Sequence, residues 1–381
     1  MTTIAIITIC IGVILLIKKS SKKEGEKEKE IEQVKAQIVH EIASNISIKT
    51  ELSHSEPISC EERIKSAFPD KNGLYPHEIL MLHYASDYRP DEKNRYQEFW
   101  LSRYGVKDCD SLLNSLVKKG ALKNEVNILL NLQVSTIPTL KEVLKNNGLP
   151  MTGKKADLVN RILENVEEDK LPTSLKIKRY VISEMGKNSL EESEYVLYIH
   201  RHYIDDLDIW KLNQLVNSEP KTSYRNKIWE YLIQKGNKYL ADNDFGLYRN
   251  IKMQMSNLAS EENDFQLAYF IFLEVIYLDI NDYLGNSFEI EYLKDDLEHY
   301  FSYTNRIGMP GDIDIMNDLQ EKLNFSNEKL KSDFIEEWSK YHFPVSIFNA
   351  KQCADIYFFE KENNETELCK IYSAAKKKYL K

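Results

Sequence analysis

TIPTLKEVLKNNGLPMTGKKADLVNRILE, residues 136–164, is the stretch that decides how the middle of this chain folds. Thr136 stands where a helix N-cap belongs, and Pro138 sits in the first turn, where its missing N–H does no harm. Ile137, Leu140 and Leu144 recur at helical spacing and make one apolar face. Gly148 can end such a helix with a positive φ, after which Leu149 returns to the core. Thr152 is read as the cap of a second helix, whose inner face is Leu158 and Ile162 with Val159 beside them. The spacing predicts helices near 137–146 and 153–164 around a tight extended loop.

This order of residues resembles the SAP domain, a helix–extended–helix module. The resemblance rests on Leu140, Leu144, Gly148, Leu149, Thr152, Gly153, Lys154, Lys155, Leu158, Arg161 and Ile162, in the family's order and spacing. Pro138, early in the first helix, and Asn146-Asn147, in place of charged residues, depart from the pattern. The resemblance implies nucleic-acid binding, DNA before RNA, and the residue chemistry supports it. Thr152, Gly153 and Lys154 would place backbone N–H groups at a helix N-terminus, where anions are favoured and Gly153 permits close approach. Lys154 and Lys155 add charge there, and Lys141, Lys145 and Arg161 extend it. Residues 136–166 carry five cations against three carboxylates, net +2, in a chain whose net charge is −9. The contact is thus expected to be local, salt-sensitive and poor in sequence specificity.

Outward from this segment, 381 residues suffice for two or three domains. Only 13 Gly and 10 Pro argue against turn-rich all-β folds and for an all-α chain. Residues 61–132 read as a small helical domain, with Ile79, Leu80, Leu82 and Tyr84, then Tyr96, Phe99, Trp100 and Tyr104, then Leu112, Leu113, Leu116 and Val117 before Gly120. The last helix, with Lys118 and Lys119, is similar to a winged-helix recognition helix, although most three-helix clusters bind no DNA. Residues 133–167 hold the SAP-like module. Residues 175–381 read as a helical domain, a bundle or a TPR-like stack of hairpins without a fixed repeat, with its apolar centre at Phe265–Ile280.

Residues 1–17 carry no charge, and lysines 18, 19, 22 and 23 follow them. Seventeen residues of helix span about 25 Å, enough to cross a bilayer if the lysines snorkel. A cleaved signal peptide would need a basic start and a small-residue cleavage site, and neither stands there. The expectation is a single-pass anchor with its N-terminus outside and the bulk of the chain cytoplasmic. Residues 18–60 would then be a charged linker. Five scattered Cys with no CxxC spacing agree with a reducing compartment and give no structural zinc site.

The remaining signals have plain explanations. His200 and His202, with Asp205, Asp206 and Asp208, have metal-binding chemistry, yet two-residue spacing turns helical imidazoles apart. Glu274 in its apolar helix invites a partner such as Arg249 or Arg306. Lys376, Lys377 and Lys378 read as a helix end. No Walker, GxSxG, HExxH or GxGxxG pattern occurs, so no enzyme, metal or cofactor is expected. The expected function is a membrane-anchored nucleic-acid-binding protein, with Lys176, Lys178 and Arg179 as candidates for a second contact. The alternative is an interaction scaffold whose C-terminal helical domain binds a protein partner. Deleting residues 1–20 should move the protein from the membrane to the soluble fraction with its fold intact. Full-length protein that is soluble without detergent would overturn the anchor.

Overall fold

A computed structural model of the chain describes residues 58–281, 310–341 and 347–379. The expected anchor over 1–17 and nearly all of the linker over 18–60 lie outside these residues. Among the described residues no helix is long and apolar enough to cross a membrane. The chain divides into two compact units between Lys227 and Ile228.

The first unit opens with α1 (Cys60–Ile64), α2 (Pro76–Tyr84), α3 (Phe99–Ser102) and α4 (Cys109–Lys118). Gly120, at φ +82°, turns the chain out of α4 and into β1 (Leu122–Val126). Next come α5 (Ile128–Val134), α6 (Ile137–Asn146) and α7 (Lys155–Asn165), and then β2 (Lys178–Ile182). The strands pair antiparallel, Leu122 opposite Ile182 and Val126 opposite Lys178. The unit closes with α8 (Glu184–Glu192), α9 (Glu194–Arg201) and α10 (Ile209–Ser218).

The fold is mostly helical, as the all-α reading expects, with a two-stranded ribbon that the reading does not include. The helix–extended–helix module is the long connection between its strands. Residues 178–227 do not start a C-terminal domain: α8, α9 and α10 pack on α2. Hydrogen bonds tie these segments. Asn213 Oδ1 accepts from the Phe68 N–H at 2.8 Å, and Asn213 Nδ2 donates to the Phe68 carbonyl at 2.9 Å. Arg63 pairs with Asp208 at 2.7 Å. Gly186 lets α8 approach the ribbon, since a Cβ there would lie 2.5 Å from the Ala121 carbonyl oxygen.

Among the described residues the second unit is built of helices. They are α11 (Tyr224–Ala241), which starts just before the division, α12 (Phe245–Glu261), α13 (Phe265–Ile280), α14 (Pro310–Leu323), α15 (Asn327–Trp338), α16 (Ala350–Lys361) and α17 (Glu365–Tyr379). As expected, α13 is central, with Phe272 and Leu273 packed in one core with Phe334, Trp338 and Tyr357. Trp338 Nε1 donates to the Leu273 carbonyl at 2.7 Å. Four of the connections share one device. Asn243, Asn263, Asn324 and Asn363 have φ between +53° and +60°. In each, the next residue's N–H bonds a carbonyl five positions back, as Asp264 does to Ala259 at 2.9 Å. That is a Schellman ending with Asn in the place Gly usually fills. Asp244 and Asp264 then cap the next helix with their carboxylates. Hairpins form this way with few glycines.

Two outcomes follow from these contacts. Asn263→Gly should leave stability unchanged or raise it slightly, whereas Asn263→Ala should cost about 1 kcal/mol, because only Ala brings an unrelieved Cβ penalty at positive φ. Urea unfolding of both variants checks this. In the first unit, burial pushes His77 down to about 3. Between pH 6.5 and that value the unfolded chain binds a proton that the folded unit refuses. Stability should therefore fall as pH drops below 6.5, with His77 contributing a slope of roughly 1.4 kcal/mol per pH unit. His77→Leu should remove one proton's worth of that slope, and an unchanged slope would contradict the assignment.

Candidate nucleic-acid interface

Local chemistry builds the module much as its spacing predicts. The Thr136 hydroxyl accepts from the Thr139 N–H at 3.4 Å and caps α6. At the other end Gly148, φ +70°, closes a Schellman turn: its N–H bonds the Lys145 carbonyl at 3.1 Å, and the Leu149 N–H bonds that of Leu144 at 2.9 Å. Leu140, Val143, Leu144, Leu158, Val159 and Ile162 are buried together, with Leu149 packed against them. Leu132 from α5 and Leu171 and Leu175 beyond α7 complete this core. Ile137 departs from expectation. It is 44% exposed, and Val143 takes its place on the inner face.

The start of α7 also differs from expectation. Its N-cap is Lys154, not Thr152. The Asp157 carboxylate accepts from the Lys154 N–H at 2.8 Å. That N–H is thus engaged, and a carboxylate already lies against the positive end of the helix. Gly153, at φ +126°, fits here because a Cβ would come within 3.0 Å of the Asp157 side chain. The N–H groups of Gly153, Lys155 and Ala156 make no hydrogen bond among the described residues. They are the backbone donors open to an anion, and an anion held by them would sit one residue further along than Gly153 and Lys154 alone would place it.

Arg161 has a different role from the expected one. One guanidinium nitrogen donates to the carbonyls of both Pro150 and Thr152, at 2.6 and 2.9 Å. It clamps the extended loop onto α7 and sets the path of the chain into Gly153. Thr152 is exposed at the loop's tip. Lys141, Lys145 and Lys154 are exposed and Lys155 is half-buried. None of these four lysines has a carboxylate partner among the described residues.

The candidates for a second contact are engaged elsewhere. Arg179 is only 5% exposed, with Nε bonded to Asn131 at 2.5 Å and a terminal nitrogen to the Ser86 carbonyl at 3.0 Å. Lys176 donates to the Asp169 carbonyl, and Lys178 lies 3.8 Å from Asp91. Lys119, read earlier as a recognition-helix cation, pairs with Glu78 at 2.7 Å. The exposed face of α4 carries Asp110 and Asn114 with Lys118, a poor surface for phosphate.

His200 is no metal ligand. Its two ring nitrogens meet the hydroxyls of Tyr84 and Tyr104, each at 2.7 Å, and burial pushes it down to about 4. Among the described residues no group of His, Cys, Asp and Glu is arranged to hold a metal ion. Glu274 accepts from the Tyr248 hydroxyl at 2.6 Å and pairs with Lys252 at 2.8 Å. Arg249 instead grips Asp279, at 2.5 and 2.8 Å.

Neither a curated protein nor a solved structure matches the chain. The family model described as "SAP domain" matches residues 132–167. The match begins at the fully buried Leu132 and ends one residue after Val166, 8% exposed, while Leu171 and Leu175 extend the same core beyond it. Residues 132–167, set between the two strands of the ribbon, are a SAP domain.

Proposed function

We propose that this protein holds nucleic acid, DNA before RNA and with little sequence preference, through its SAP domain, and that residues 1–17 anchor it to a membrane with the bulk of the chain cytoplasmic. The observation that carries the reading is the set of unpaired cations in an acidic chain. Lys141, Lys145, Lys154 and Lys155 keep no carboxylate partner among the described residues, although the chain's net charge is −9. Phosphate at the open N–H groups of Lys155 and Ala156 would meet Lys154 and Lys155 on the same turn. Contacts of this kind position a duplex and read no bases. The role is one of binding, without catalysis.

A second reading has an observation of its own. Ile137, Met151 and Leu163 are 44%, 42% and 44% exposed on the domain. Apolar side chains so placed favour a protein partner, in which case the chain is a scaffold.

Binding of the full-length chain to generic DNA over a salt series separates the two. The expected slope of log K against log salt corresponds to only about two to four phosphates. Lys154→Glu with Lys155→Glu should lower affinity at least tenfold without unfolding the protein, since Lys154 is exposed, Lys155 is only half-buried and neither is held in an ion pair among the described residues. Arg161→Ala tests the clamp. It should weaken binding while leaving the salt slope unchanged, because the guanidinium holds carbonyls; a lost phosphate contact would lower the slope by about one. If the double reversal binds as well as wild type, or wild type does not bind at all, the scaffold reading replaces this one.

A further inference from the structure

A surface patch in the first unit is unexplained by its packing. Arg103, just after α3, and Arg201, the last residue of α9, are both exposed. Arg103 donates to the carbonyl of His200 at 3.4 Å, which brings the two arginines to one place. Tyr203, two residues beyond Arg201, is 79% exposed, the most exposed large apolar or aromatic residue of the described chain. The floor beneath is rigid. The His200 ring is fixed by Tyr84 and Tyr104 and lies edge-on to Tyr84 and tilted against Phe99.

Two ordinary explanations fall short. Cations at a helix C-terminus are favoured by its dipole, and Arg103 does cap a carbonyl of α9. That bond uses one of five guanidinium N–H groups, and it explains neither the open Arg201 nor a tyrosine facing water. Two nearby carboxylates are engaged elsewhere. Asp208 pairs with Arg63 at 2.7 Å and Asp206 with Lys211 at 2.9 Å. Neither Arg103 nor Arg201 has an acidic partner among the described residues.

We infer that Arg103, Arg201 and Tyr203 form a second nucleic-acid contact, in which the arginines hold phosphate and Tyr203 stacks on an unpaired base. An exposed aromatic ring two residues from an exposed arginine, with a second arginine held at the same helix end and neither paired with a carboxylate among the described residues, is the chemistry that single strands favour, because every base has a π-face. Position supports the inference. Arg179, at the root of the SAP domain, bonds the carbonyl of Ser86, and two residues earlier Tyr84 bonds His200 beneath the patch. The root of the domain and the patch thus join the scaffold at the same end of α2. The inference rests on the proposed role of the SAP domain to the extent that one strand engages both sites.

The test uses the full-length chain and two labelled probes, an oligothymidine of about 20 nucleotides, longer than one single-strand site, and a blunt duplex of equal length. Tyr203→Ala should lower affinity for oligothymidine about tenfold and leave the duplex unchanged. Arg103→Ala with Arg201→Ala should weaken both probes and lower the salt slope by about one to two. Tyr203 is exposed, so its variant should melt as wild type does. If both sets of variants bind oligothymidine as wild type does while Lys154→Glu with Lys155→Glu loses binding, the second contact is wrong and the SAP reading stands. If only the Tyr203 and arginine variants lose binding, the patch is the site and the SAP reading fails. If the wild type binds neither probe, both fail.

Discussion

The arrangement of the first unit depends on one buried cation. Arg179 lies on β2, almost wholly out of water, and among the described residues no carboxylate forms an ion pair with it. Removing a guanidinium from water is costly unless its hydrogen bonds are replaced. Here Asn131 accepts one and the Ser86 carbonyl another, while Asn131 Nδ2 donates to the Ile177 carbonyl at 2.9 Å. Asn131 belongs to the helix that leads into the SAP domain, and Ser86 to the turn after α2. One side chain therefore joins the ribbon, the domain and the helical scaffold. Truncating it would leave the Asn131 amide oxygen and the Ser86 carbonyl without their donor, and the joint would keep the Asn131–Ile177 hydrogen bond and the covalent attachment to the strand ends.

The legible part of this fold is the part whose determinants are local. The Thr136 cap, the Gly148 turn and the spacing of Leu140, Leu144, Leu158 and Ile162 each act within a turn or two, and the structure has them where the spacing predicts. The ribbon was not legible because Leu122–Val126 is mostly polar and its partner strand lies beyond an entire inserted domain. Missing that pairing moved the apparent domain division back to residue 175. The asparagine turns escaped notice for another reason. Glycine is the familiar mark of a left-handed residue, and in Asn263-Asp264 the same conformation reads as an ordinary polar pair.

The site shows the same division. That the lysines would lie in or near water followed from their type and place. What the side chains at the start of α7 do to one another did not. Asp157 could be read as an ordinary acid of the first turn, and only the three-residue reach to Lys154 N–H shows that it occupies the expected anion position. Arg161 could be counted as charge for a ligand, yet its geometry serves the loop. A carboxylate at the helix start and an arginine on the loop carbonyls shape the turn that presents Lys154 and Lys155. The charge offered to a ligand is correspondingly smaller than a count of basic residues implies.

Insertion between paired strands has a consequence for binding. A domain at the end of a flexible tether loses orientational freedom when it and a second contact engage one ligand, and that loss offsets part of the gain. A domain held at both ends by β1 and β2, and locked at its root by Arg179, has surrendered that freedom on folding. Its few lysines are weak in isolation, since each exposed cation contributes modestly and salt screens it. Rigid presentation is how so small a surface can add to another on the same scaffold. The acidic remainder of the chain repels polyanions elsewhere, which confines contact to where cations stand without carboxylate partners. The joint at Arg179 thus matters to function through geometry: it fixes where the lysines of the SAP domain stand relative to the end of α2.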